Sequence, residues 1–157
     1  MPARREVSIR LATQADAPAI HDLHLRSVRA LCSPYYEHDV IEGWLGGRSP
    51  SGYLRGISSG AIFVAEVHTQ LLGFGEAVRG EILAIYVDPR WVGRGVGRRL
   101  LSEALDLAAA PLGSVRLEAT LNAVSFYERG GFSQVGQATV RRNDVDVPVV
   151  IMEKRGV

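Results

Sequence analysis

The spacing of apolar residues along the chain changes period several times, and each change predicts an element. Val7 to Leu11 reads as a short first strand. Asp16 stands where a helix N-cap is expected, with Pro18 tolerated in the first turn. Ile20, Leu23, Ser27 and Leu31 then recur on one helical face until Ser33-Pro34 ends it. Tyr36 to Leu45 reads as a second helix closed by Gly46-Gly47, and Pro50 to Ser59 has room for a third, short one. Ala61 to Val67 and Leu71 to Val78 have the pattern of two strands joined by a tight turn near Thr69-Gln70. Gly80 permits another turn into the apolar strand Glu81 to Val87.

Leu100, Leu101, Ala104, Leu105 and Ala108 return to helical spacing, predicting a helix from about Gly97 to Ala110 that Pro111 stops. Val115 to Thr120 is a strand, and Asn122 to Arg129 a short helix ended by Gly130-Gly131. Phe132 to Val140 and Val147 to Glu153 are two last strands around the polar turn Arg141 to Asp146. The order is β-α-α-β-β-β-α-β-α-β-β. It predicts an α/β (α+β) fold in which helices pack on a mixed sheet, without repeat, linker or low-complexity segment.

Composition narrows the picture. A length of 157 residues favours one domain spanning 1–157, and 46% hydrophobic residues suffice for a packed core. The net charge of +1 gives no global field for nucleic acid. One cysteine, Cys32, excludes an internal disulfide and a cysteine-based zinc cluster, and it reads as a packing residue. No apolar run approaches the ~18 residues of a membrane span, and Met-Pro-Ala-Arg-Arg-Glu is no secretory signal, so a cytoplasmic protein without membrane contact is expected. His21 and His24 stand three apart, but no third ligand is in view and no metal site is expected.

The densest chemical signal is the turn Asp88-Pro89-Arg90-Trp91-Val92-Gly93-Arg94-Gly95-Val96-Gly97-Arg98-Arg99, between a buried strand and a helix. Glycines there bare backbone N–H groups at a positive helix end, which suits an anion. Four arginines in or beside the turn oppose the helix dipole unless a polyanion is bound, which points to a phosphate-bearing ligand. A P-loop requires Lys-Ser/Thr after its last glycine, and Arg98-Arg99 stand there instead. A dinucleotide fingerprint requires glycine at position 98 or 100, which are Arg98 and Leu100.

With Tyr86-Val87-Asp88-Pro89 before it, this turn resembles that of the GCN5-related N-acetyltransferase (GNAT) superfamily. The family pattern Gln/Arg-x-x-Gly-x-Gly/Ala falls on Val92 to Gly97, with its glycines on Gly95 and Gly97 and Val92 departing from its first position. The segment Leu121-Asn122-Ala123-Val124-Ser125-Phe126-Tyr127-Glu128-Arg129-Gly130-Gly131-Phe132 is similar to the family's late Asn…Phe-Tyr-Glu-x-x-Gly-Phe motif. Ile9-Arg10-Leu11-Ala12 and Asp16-Ala17 fit its first strand and helix, so the resemblance spans nearly the whole chain.

The resemblance implies a mostly antiparallel sheet that splays near Ile82–Val87 and Val115–Thr120. It implies acetyl-CoA as co-substrate and a primary amine, small molecule or peptide, as acceptor. Cofactor contacts are expected from Ile85, Tyr86 and Val87, from Val92, Gly93, Arg94, Gly95, Val96, Gly97 and Arg98, and from Asn122 and Phe126. Arg90 or Arg94 is expected to supply the polar side chain that Val92 does not carry, and a backbone N–H of Tyr86 or Val87 to bind the thioester oxygen. The resemblance also implies Tyr127 as proton donor to the leaving thiolate, and its phenol, with an ordinary pKa of ~10, is neutral near pH 7. Homodimers are common among such proteins, and no residue of this chain proves one.

Direct attack requires a base for the amine, whose ordinary pKa is ~10.4. Glu81 is the candidate, with Glu76 second; strand alternation puts Glu81 on one face with Leu83, Ile85 and Val87. Phe126 is the better core candidate of the Phe126-Tyr127 pair. Tyr35, Tyr36 and Glu37, followed by Trp44, suit a cationic amine through aromatic and carboxylate contacts. The competing reading is an amphipathic helix with Ile41, Trp44 and Leu45 in the core. A non-catalytic acyl-CoA-binding module, or a transferase of another acyl group, would carry the same turn, and Tyr127 with Glu81 favours the enzyme.

Overall fold

A computed structural model of the protein describes residues 6–109 and 113–156. The strands are β1 (Ser8–Leu11), β2 (Ile62–Val67), β3 (Gln70–Val78), β4 (Glu81–Val87), β5 (Ser114–Ala119), β6 (Ser133–Arg142) and β7 (Val145–Arg155). The helices are α1 (Ala17–Leu31), α2 (His38–Leu45), α3 (Leu54–Ser58), α4 (Val96–Ala108) and α5 (Val124–Arg129). Among the described residues the strands form one sheet in the order β1-β2-β3-β4-β5-β7-β6. Every pairing is antiparallel except β4 with β5, which is parallel and joins only Glu81↔Arg116 and Ile82↔Leu117. Beyond Ile82 the two central strands part, as the expected splay requires.

The sheet separates two layers of core. On one face α4 and α5 bury Leu100, Leu101, Ala104 and Tyr127 against Phe63, Ile82, Leu117 and Met152. On the other, α1 and α3 bury Ile20, Leu23 and Ile57 against Val64 and Phe74. Farther along that face α2 buries Ile41, Trp44 and Leu45 against Val147 and Val149 of β7. No described helix is long and apolar enough to cross a membrane.

Several boundaries differ from the sequence reading, each for a local reason. Asp16 precedes α1 but does not cap it with its side chain. Its carboxylate accepts from the Thr13 amide at 2.7 Å and from Arg10 at 2.8 and 3.0 Å. The second helix starts at His38, because Tyr36 is drawn into the core (7% exposed). The last two strands run farther than expected, since Asn143 takes φ 53° and the hairpin turns within Asn143-Asp144. The expected helix stop at Ala110-Pro111 lies outside the described residues.

The consequential difference is in β4. Leu83 is an extra residue, a β-bulge between the pairs Ala77↔Ile82 and Glu76↔Ala84. The bulge breaks the expected alternation. Ile82, Ile85 and Val87 pack against the α4-side core, whereas Ala84 and Tyr86 pack on the α1 side. Glu81, opposite Val78, therefore turns away from the α4 face and does not share a face with Ile85 and Val87.

Candidate active site

Where β4 and β5 part, a cavity of about 700 Å³ opens among the ends of β4 and β5, the glycine turn, α5 and the last turns of α1. Its geometry begins with backbone. The Asp88 amide donates to the Leu72 carbonyl at 2.8 Å, so position 88 faces β3. Successive N–H groups of an extended strand alternate in direction. The Tyr86 N–H is therefore used in the β3 ladder, while those of Ile85 and Val87 point into the gap that β5 has left. Of the two amides expected to bind a thioester oxygen, only that of Val87 is free to do so.

The glycine turn follows. Gly95 holds φ 83°, a left-handed conformation that disfavours other residues, and precedes the first helical residue of α4. No side chain caps this end, and the Arg99 amide is already bonded to the Gly95 carbonyl at 3.2 Å. The N–H groups of Val96, Gly97 and Arg98 are thus the orphan donors of the helix start. A Cβ on Gly97 would lie 3.1 Å from the Phe126 ring, so glycine there lets helix and aromatic wall meet.

Most of the expected cofactor contacts lie in this wall: Ile85, Tyr86, Val87, Val92, Gly93, Gly95, Gly97, Arg98, Asn122 and Phe126. Two side chains do not. Val96 is in the core at 1% exposure, and the Arg94 guanidinium stacks over the Trp91 ring at 5.0 Å. Arg90 is also engaged, through its Nη2 bond to Asp88 at 3.0 Å. Arg99 donates to the Val7 carbonyl, which leaves Arg98 as the cation at the helix start that reaches the cavity.

Asp88 anchors the turn. It is fully buried and accepts from Arg26 of α1 at 2.8 Å and from the Arg90 amide at 2.9 Å. Burial works to raise its pKa, and the Arg90 and Arg26 hydrogen bonds overcome this, holding the carboxyl well below the usual carboxylate range.

Tyr127 lines the cavity from α5 and is 6% exposed, its ring edge-on to Phe126 and Phe132. Phe126 is the less buried of the pair, reversing the expected assignment of the core aromatic. Burial, with the Tyr86 phenol nearby, pushes the Tyr127 pKa above the ordinary tyrosine value. The phenol keeps its proton over the whole physiological range.

The substrate-side expectations divide. Tyr35 lines the cavity and is 55% exposed. Tyr36 is a structural bridge instead: its hydroxyl donates to the Pro148 carbonyl at 2.6 Å and accepts from the Leu121 amide at 3.0 Å. Glu37 is exposed at the start of α2, away from the cavity wall. Trp44 is buried in the core. Glu81 begins β4 at the Gly80 hairpin, four residues before Ile85, and is not among the cavity-lining residues.

Sequence reading missed the α1 wall, formed by Ser27, Leu31 and Cys32, and also Trp91 and Thr120. Cys32 is 1% exposed, and burial pushes its thiol up to about 12. Behind Tyr86 lies a second buried group, His24, whose ring is 4.3 Å from that of Tyr86. Its Nδ1 is 2.7 Å from the Tyr53 hydroxyl. Burial, then the charges of Arg48, His21 and Arg142, pushes the His24 pKa down to about 3. Glu118 projects from β5 on the face away from α4, with Arg142 3.8 Å away. No group of three or more metal-ligating side chains occurs among the described residues.

Comparison with known proteins gives this geometry its context. The model of the acetyltransferase (GNAT) domain matches residues 35–155. The N-alpha-acetyltransferase RimI of Mycobacterium tuberculosis is 38% identical over 91 residues, and the match spans 56% of each chain, about half of that relative's length. A GCN5-related N-acetyltransferase from Rhodopseudomonas palustris superposes with a TM-score of 0.88 at 23% identity, over 94% of both chains. The PaiA N-acetyltransferase of Thermoplasma acidophilum, solved in complex with coenzyme A, superposes with a TM-score of 0.76 at 23% identity, over 96% of this chain and 99% of that one. The family model covers both the glycine turn and the Asn122–Phe132 segment, and on that match this chain belongs to the GNAT acetyltransferase family.

Proposed function

We propose that the protein is an acetyl-CoA-dependent N-acetyltransferase that moves an acetyl group to a primary amine by direct attack. The observation that carries this reading is the convergence of three features on one cavity: the uncapped start of α4, the free Val87 N–H and the buried Tyr127 phenol. The fit to CoA rests on the glycine turn. Orphan N–H groups and Arg98 suit a pyrophosphate, and the open space beside Gly95 leaves room for it, while glycine at 97 lets α4 close on Phe126. The coenzyme A bound to PaiA supports the same assignment.

Acetyl-CoA supplies the activated acetyl thioester; the chain supplies position, charge and protons. The Val87 N–H stabilises the negative charge that develops on the carbonyl oxygen. Tyr127 donates its proton to the departing sulfur as the C–S bond breaks and the C–N bond forms. Its raised pKa keeps that proton available. Glu81 accepts the proton of the amine. It begins β4, four residues and one bulge before Ile85 and outside the cavity wall, so this reading relays the proton through water. Glu118 is a second carboxylate on the face away from α4.

The experiment is a thermal melt with acetyl-CoA, followed by thiol release over an amine panel. Millimolar acetyl-CoA is expected to raise Tm, and no shift would remove the cofactor assignment. A shift without thiol release from any amine leaves the acyl-CoA-binding module as the better reading. Glu81→Gln is expected to move the acid limb of the pH–rate profile. An unchanged profile, with a shifted one in Glu118→Gln, transfers the base role to Glu118.

A further inference from the structure

The segment that carries Asn122 has little internal support. It is a single 3-10 turn, Leu121–Ala123, between β5 and α5, and Thr120 before it makes no side-chain cap bond. Such turns have poor hydrogen-bond geometry of their own. Its position also falls where β5 has ended, so the Leu121 amide has no strand partner in the sheet register. Yet Asn122 lines the cavity.

Two side chains from the end of α1 and the turn after it supply the missing support. Tyr36, 7% exposed, accepts the Leu121 N–H at 3.0 Å and donates to Pro148 of β7 at 2.6 Å, bridging the gap that opens after Ala119↔Val150. Cys32 donates its thiol proton to Asn122 Oδ1 at 3.3 Å. Burial keeps that thiol protonated, so it remains able to donate, and in this contact it is the amide oxygen that faces it. The Asn122 amide is then turned with its Nδ2 hydrogens toward other partners.

We infer that Cys32 and Tyr36 are positioning residues that act together on Asn122. Tyr36 fixes its backbone, and Cys32 fixes its amide orientation, so that Nδ2 is presented as a donor to a carbonyl of the CoA arm. Neither residue performs chemistry. The inference rests on the reading of the cavity as an acyl-CoA site. It gives the buried, protonated cysteine a role outside the chemistry.

The test is a double-mutant cycle read by calorimetric titration with coenzyme A and by the steady-state KM for acetyl-CoA. Cys32→Ala is expected to weaken coenzyme A binding and raise KM about fivefold, with kcat changed less than KM. Cys32→Ser, which keeps a donor, is expected to stay within about twofold of wild type. In an Asn122→Ala background, Cys32→Ala is expected to cost little further, because the amide it orients is gone. Tyr36→Phe is expected to raise KM in the same direction. If wild type binds no coenzyme A, the cavity reading and this inference fall together. If wild type binds but Cys32→Ala matches it, or the two substitutions add independently, the positioning role falls and the cavity reading stands.

Discussion

The two walls of the cavity are built from different materials. The wall formed by β4, the glycine turn and the start of α4 comes from one stretch of chain, between Ile85 and Arg98, and apart from the Arg98 guanidinium its polar groups are mainly backbone amides. The opposite wall comes from α1 and the segment after β5, and its polar groups are side chains: Ser27, Cys32, Tyr35, Thr120 and Asn122. A backbone wall requires glycines at fixed intervals, whatever lies between them. That is why Val92 can depart from the family pattern without closing the cavity. A side-chain wall depends on which distant segments pack together. The first is suited to a constant partner; in the second, Asn122 serves that same partner under the reading above, and exposed Tyr35 is free to change with the acceptor.

The strongest challenge to this division is Tyr127→Phe. The phenol is a single side chain inside a motif otherwise concerned with shape, and the substitution keeps the ring that packs on Phe126 and Phe132. Loss of a general acid is expected to lower kcat about 10²–10⁴-fold, with the KM for acetyl-CoA within about twofold of wild type. Steady-state kinetics at saturating amine reads both. A rise in KM with kcat unchanged would assign Tyr127 to binding and leave the leaving thiolate to another donor.

The next effect concerns the joint between the walls. Asp88 is buried under the turn and bonded to Arg26 of α1, so one carboxylate ties the backbone wall to the side-chain wall. Asp88→Ala is expected to cost about 3 kcal/mol of stability in urea unfolding, since it removes several charge-assisted bonds. Coenzyme A binding is expected to weaken as well, because Arg90 and the turn lose their anchor. A loss below about 1 kcal/mol would mean that the walls are held by apolar packing alone.

These differences also explain what was legible in the sequence. The glycine turn and the Asn122–Phe132 segment could be read because they are local runs of residues: spacing excluded other glycine turns, and the resemblance to family motifs did the rest. The bulge at Leu83 could not: Ile82 to Val87 is uniformly apolar, and nothing in such a run marks an extra residue. The facing of Glu81 was misread for that reason. Phe126 and Tyr127 exchanged their expected burial because Tyr127 packs between Phe126 and Phe132 in the α4-side core, while Phe126 stands in the cavity wall beside Gly97, a contact made across about thirty residues. Tyr36 looked like a substrate aromatic, and its role as a bridge depends on Pro148 and Leu121, far away in the chain. Cys32 carried no signal at all, since its partner Asn122 is ninety residues distant.

The smallest expected effect tests whether the α1 side of the fold is as dependent on buried side chains as its composition implies. His24 is 4% exposed and enclosed by Tyr53, Phe74 and Tyr86. With a folded pKa of about 3 against about 6.5 when unfolded, the folded state binds fewer protons between these values. Stability is therefore fully present above the unfolded pKa and is lost as pH falls toward the folded one. From pH 7.5 to pH 5 this single group is expected to remove about 2 kcal/mol. The substitution His24→Gln keeps a polar partner for the Tyr53 hydroxyl and cannot titrate. Urea unfolding at the two pH values is expected to show a smaller loss in the variant by about that amount. The backbone wall offers no comparable group, because amides do not ionise in this range and Asp88 remains charged throughout it. An equal loss in wild type and variant would mean that His24 takes up its proton in the folded state, and that the α1 side admits water where its packing excludes it.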